Sequence, residues 1–171
     1  MLWWWPGRRW VLKSPFHLWN LPALLEIFPD ALLVQIHREP AECMASFCAL
    51  LAAAFGAVAT RVDVKEVGSI AGPFMRGAVT RCADARKGLP EGRFVDIRYP
   101  ELLANPIRIV RDIYARARLV LEPETEERMR SWLSGAGAPP SVPAVRLPLS
   151  AYGLSEDAVA HDFSPYESFS R

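Results

Sequence analysis

Apolar positions along the chain fall into short blocks whose period changes from block to block, with prolines and glycines marking the joins. Trp10, Val11 and Leu12 form a brief apolar run closed by Lys13-Ser14-Pro15, which reads as a buried strand stopped by proline. Leu18, Leu21, Leu24, Leu25 and Phe28 then recur at helical spacing, until Pro29-Asp30 breaks the pattern. Ala31 to Ile36 is apolar with little alternation, as expected of a strand covered on both faces. Strand, helix and strand within about 28 residues predict a βαβ unit. Its crossover should be right-handed, and its parallel strands should end on the same edge of the sheet.

A long helical pattern begins near Pro40 and runs through Phe47, Leu50, Leu51 and Phe55. Proline suits a first helical position, where its missing N–H would have had no partner. Residues 58–88 read as mainly helical, interrupted at Gly68, Gly72-Pro73 and Gly77. Arg93 to Arg98 alternates apolar and charged residues and predicts a third strand. Asn105-Pro106 precedes an amphipathic helix carrying Ile109, Ile113 and Tyr114, and Pro123 opens a shorter one with Met129, Trp132 and Leu133. Gly135 to Pro148 reads as a loop, and Ser155 to Phe163 as a last helical patch. With no internal repeat, the 171 residues fit one α/β layer structure and no second domain.

Composition narrows the function classes. A chain that is 51% hydrophobic and 23% charged is expected to fold, and a net charge of +1 gives no global pull toward nucleic acid or an anionic membrane. Any anion site must therefore be local. Cys43, Cys48 and Cys82 show no metal-ligand spacing and leave no complete disulfide framework, so reduced thiols in a cytoplasmic protein are the simpler expectation. The start, MLWWWPGRRW, lacks the parts of a signal peptide, and the apolar run from Cys48 to Ala59 is well short of the ~20 residues that span a membrane.

The candidate chemistry gathers between Lys13 and Ser46. Arg38 follows a strand and precedes a helix, where backbone N–H groups and the helix dipole favour an anion that a guanidinium can grip through two hydrogen bonds. Ser46, eight residues on, can donate to the same anion if the helix runs past it. The alternative is that Arg38 pairs with Glu39 or Glu42. Lys13 ends the neighbouring predicted strand, which would place it roughly 5 to 10 Å from Arg38; otherwise it is a solvated lysine. His17 can face the same crevice and take a proton from a hydroxyl nucleophile, or serve only as a residue at a helix start. By strand alternation, His37 should point away from Arg38.

Lys13-Ser14-Pro15 followed by Arg38 and Ser46 resembles the bacterial branch of the sulfotransferases that use 3'-phosphoadenosine 5'-phosphosulfate. The resemblance implies a three-layer, P-loop-like α/β fold: a short parallel sheet flanked by helices. It implies that Arg38 and Ser46 bind the donor's 3'-phosphate, that Lys13 lies toward its phosphosulfate end, and that Ser14 is among the donor-binding residues. Phe94 to Tyr99, with Leu102, Leu103, Asn105 and Pro106, looks like the family's next strand, tyrosine and helix, which places Tyr99 near the adenine. Pro100 stands where the family often has an acid. Tyr152-Gly153-Leu154 through Phe169 looks like the C-terminal segment, with Arg146 matching a basic residue while Val145, Leu147 and Pro148 depart from the family pattern. The implied co-substrate is the nucleotide donor, with no metal, and the implied acceptor is a small molecule or glycan.

The family first supplies a strand, a glycine-rich loop for the 5'-phosphosulfate and a helix, and nothing before Trp10 matches them. The expectation is therefore a partial sulfotransferase domain over residues 1–171, with catalysis assigned to Lys13 and His17. Trp3, Trp4 and Trp5 look like residues that pack on something else, and a partner chain covering the N-terminal sheet edge is a further expectation. Two other readings stay open: a non-catalytic or partner-dependent remnant of such an enzyme, and a nucleotide kinase-like protein. The kinase reading lacks both the loop and a magnesium-binding acid.

Overall fold

The computed structural model describes residues 9–90, 92–136 and 147–169. The Trp3 to Trp5 run and Arg146 lie outside them. Two strands, β1 (Leu33–His37) and β2 (Phe94–Arg98), pair in parallel in a two-stranded sheet, with Leu33 opposite Phe94 and His37 opposite Arg98. Around them lie α1 (Leu21–Ile27), α2 (Pro40–Gly56), α3 (Val64–Lys87), α4 (Tyr99–Ala104), α5 (Pro106–Arg116), α6 (Pro123–Ser131) and α7 (Glu156–Phe163). Short 3-10 turns occupy Pro15–Leu18, Leu149–Tyr152 and Ser164–Phe169.

The expected strand at Trp10 to Leu12 does not form. A strand needs a neighbour for its backbone groups, and the sheet among the described residues consists of β1 and β2 alone. Val11 is 92% exposed, and the Arg9 guanidinium instead donates to the Ala117 carbonyl at 2.8 Å, beyond the end of α5. The predicted βαβ unit is therefore replaced: the crossover that makes the parallel pair runs from β1 through α2 and α3 to β2. Arg93 helps to seat the incoming strand, since its guanidinium donates to the carbonyls of Pro29 and Ala31.

The sheet's two faces differ. Gln35 and Asp96 face α3, whose Arg86 donates to both. On the other face Ile97 is buried beside α5, but Val34 and Ile36 remain 44% and 48% exposed. The apolar character of β1 thus does not mark burial on both sides.

The main core lies between helices. Met44 and Cys48 of α2, Val67, Ala71 and Val79 of α3, Leu149 and Tyr152, and Val159 and Phe163 of α7 form one buried cluster. Here α3 continues unbroken through the glycines and Pro73 that predicted interruptions. Glycine serves close packing: a Cβ at Gly68 would collide with the Tyr152 backbone carbonyl, and one at Gly77 with the Trp19 ring. An interior proline costs roughly 3 kcal/mol, which the buried stripe along α3 offsets. Pro100, flagged by sequence as a departure, sits in the first turn of α4, where proline is tolerated.

Candidate anion site at the sheet edge

The register fixes where the site begins. His37 and Arg98 are partners at the C-terminal ends of the strands, so Arg38 and Tyr99 are the first residues to leave the sheet, side by side. Arg38 lies between β1 and α2, and Tyr99 opens α4. The Arg38 guanidinium sits 4.2 Å from the Tyr99 ring centroid, a cation–π stack. Its Nη2 donates to Glu42 Oε2 at 2.9 Å, while its Nε is enclosed without a hydrogen-bond partner. The bond to Glu42, against some loss of hydration, raises the pKa of the guanidinium, so it is a fixed cation. Cys43 lies close by; burial pushes its thiol pKa up, and the Arg38 charge offsets part of that.

Ser46 is half-buried on α2, one turn beyond Glu42 and on the same side of the helix. The structure thus brings Arg38 and Tyr99 into contact and sets Ser46 along the helix that leaves from Arg38. The pairing with Glu42, expected as an alternative to anion binding, is present.

The other sequence candidates sit on the Pro15–Leu18 turn and its approach. Ser14 caps that turn, its hydroxyl accepting from the Phe16 N–H at 3.2 Å, and half-buried His17 lies within it. Lys13 is exposed. Because residues 10–12 do not pair with β1, the strand-spacing argument for Lys13 beside Arg38 loses its basis.

A second cluster, missed from sequence as a unit, braces the sheet beneath this edge. Asp96 accepts two hydrogen bonds from Arg86, at 2.8 and 2.7 Å, and contacts His37 Nε2 at 2.6 Å. Arg86 also donates to Gln35 at 2.7 Å. Its side chain is only 7% exposed and lies between the Phe94 and Phe169 rings, 3.8 and 4.1 Å from their centroids. Burial alone would raise the Asp96 pKa, but the Arg86 and His37 bonds outweigh it and hold the carboxyl below its ordinary range. Tyr166 faces Cys82 and Gln35 without closing a well-formed hydrogen bond, and burial pushes its phenol pKa far up. The sequence signal was polar Gln35 and His37 at same-face spacing in an apolar strand. His37 turns to the Asp96 side of the sheet.

No group of three or more His, Cys, Asp or Glu residues among the described residues is arranged to hold a metal ion. No helix there is long and apolar enough to cross a membrane.

Comparison with known proteins identifies the family and the fold. The model of the sulfotransferase family matches residues 4–123. The crystal structure of sulfotransferase STF9 from Mycobacterium avium is similar at a TM-score of 0.81 and 35% identity, over 94% of this chain and 41% of that one. Sulfotransferase STF1 from Mycobacterium tuberculosis H37Rv is similar at a TM-score of 0.76 and 32% identity, over 92% of this chain and 40% of that one. The chain therefore spans about two-fifths of the length of these two structures. No curated protein matches. The α/β fold with its short parallel sheet is that of these structures, and the chain belongs to the sulfotransferase family.

Proposed function

We propose that this chain supplies the 3'-phosphate end of the donor site in an enzyme that moves a sulfuryl group from 3'-phosphoadenosine 5'-phosphosulfate to an acceptor hydroxyl or amine. The observation that carries this reading is the Arg38–Tyr99 stack at the C-terminal edge of a parallel sheet, with Ser46 farther along α2. In open α/β sheets that edge is where ligands bind. Arg38 grips the 3'-phosphate, Ser46 donates to it, and Tyr99 holds the guanidinium from below and lies toward the adenine. Family membership favours this donor over the kinase-like alternative.

Transfer is in line: the acceptor oxygen or nitrogen bonds to sulfur as the bond from sulfur to the bridging oxygen breaks, and a base takes the acceptor's proton. His17 is the candidate base. Lys13 and Ser14 are candidates for the phosphosulfate end, where a cation offsets charge on the leaving oxygen. No metal is required. The acceptor is a small molecule or glycan, and the free thiols fit a cytoplasmic setting.

Calorimetry with adenosine 3',5'-bisphosphate tests the assignment. Arg38→Ala should weaken binding by about 1.5 to 3 kcal/mol, the range of a charge-assisted hydrogen bond. Unchanged affinity removes Arg38 from the site.

A second reading is that the chain acts only with further polypeptide packed on its sheet, either other segments of the same protein or a partner. The half-exposed Val34 and Ile36 favour it. Donor turnover by the purified 171-residue chain alone would defeat this reading.

A further inference from the structure

Arg38 is held by two neighbours that differ in permanence. Tyr99 lies against its flat face. Glu42 holds only Nη2, by a single bond of 2.9 Å, and its side chain is 54% exposed where that of Arg38 is 24% exposed. A guanidinium offers a phosphate two bidentate edges, the pair of terminal nitrogens or Nε with Nη2. Nη2 belongs to both. Any bidentate grip on Arg38 therefore brings an anion to the nitrogen that Glu42 occupies. Ser46, the second group assigned to the phosphate, lies one helical turn past Glu42 on the same side. Along α2, Glu42 thus lies between the two residues that would share the ligand.

We propose that Glu42 is a built-in counter-ion that the nucleotide's 3'-phosphate displaces from Arg38, so that Glu42 sets how tightly the nucleotide is held and how that affinity responds to salt. The inference rests on the donor reading above. A dianionic phosphate outcompetes a carboxylate for a guanidinium, and the freed Glu42 turns to solvent without breaking any contact in the core. After transfer the same carboxylate returns to Nη2 and favours departure of the bisphosphate product, a kind of step that limits turnover in many enzymes.

Four proteins test this by calorimetry: the unaltered chain, Glu42→Gln, Arg38→Ala and the double variant. Glu42→Gln should bind adenosine 3',5'-bisphosphate about three- to tenfold more tightly, because a like charge beside the phosphate is gone. Its affinity should fall more steeply with salt, since the ligand then meets an uncompensated cation. Adenosine 5'-monophosphate, which has no 3'-phosphate, should show neither change. In the Arg38→Ala background the gain from Glu42→Gln should shrink, as coupling between the two residues requires. Equal or weaker binding by Glu42→Gln, with Arg38→Ala still impaired, overturns the counter-ion role and leaves the donor site standing. Binding that ignores Arg38 altogether, or is absent from all four proteins, overturns both.

Discussion

At Arg38 the folded protein has already oriented a cation before any ligand arrives. An exposed arginine would have to lose side-chain freedom on binding, at about 0.5 to 1.5 kcal/mol for each side chain immobilised. Stacking on Tyr99 removes part of that cost in advance. Tyr99→Leu should therefore weaken binding of adenosine 3',5'-bisphosphate by about 0.5 to 2 kcal/mol, while Tyr99→Phe, which keeps the ring, stays near the parent. Equal losses in the two variants would mean that the hydroxyl matters and the stack does not. The position of Arg38 between a strand and a helix was legible in the sequence, because Pro40 marks the helix start directly after an apolar strand. The Arg38–Tyr99 stack was not, because the two residues are far apart in sequence and only strand register brings them together.

The elements show what local pattern captures and what it leaves out. The helices α2, α5, α6 and α7 are legible close to their observed bounds, since each has a proline or a cap at its start and one clear period, and β2 is legible from its alternation alone. Trp10 to Leu12 has the composition of a strand but no ladder partner among the described residues, and partners are not encoded locally. In α3 the glycines read in the sequence as breaks, whereas Gly68 and Gly77 are contact points with the Leu149–Tyr152 turn and with Trp19. Gly68→Ala gains a little helix propensity, yet it must push Tyr152 away. The net effect should be destabilisation by about 1 to 3 kcal/mol, the range for overpacking a filled site. Urea denaturation measures this, and a stabilised variant would show that α3 and the turn do not pack as described.

Across the whole molecule, one carboxylate joins parts that are far apart in sequence. Asp96 ties β2 to β1 through His37 and to α3 through Arg86, and the Arg86 guanidinium in turn packs on Phe169 near the C-terminus. Its pKa in the fold lies below the ordinary value. The unfolded chain therefore binds this proton first as pH falls, so the stabilisation is complete at neutral pH, begins to fade near about pH 4 and is lost as pH passes the folded-state value. Denaturation midpoints between about pH 3 and 7 should show this loss. Asp96→Asn should be less stable at pH 7 and flatter across the acid range, and an unchanged acid slope would discount the cluster. Although Gln35, His37 and Asp96 are visible as polar interruptions in apolar strands, their common partner on α3 follows only from the crossover.

The pairing of His37 with Arg98 has a last consequence, for folding fidelity. Sliding β2 by one residue against β1 would turn Asp96 to the wrong side of the sheet, because strand side chains alternate, and would carry Tyr99, at the start of α4, out of step with Arg38. The misaligned chain would lose its internal brace and its Arg38–Tyr99 stack in one step. Nucleotide added during refolding should then act as a proofreader, raising the yield of correctly aligned molecules by mass action while giving nothing to slipped ones.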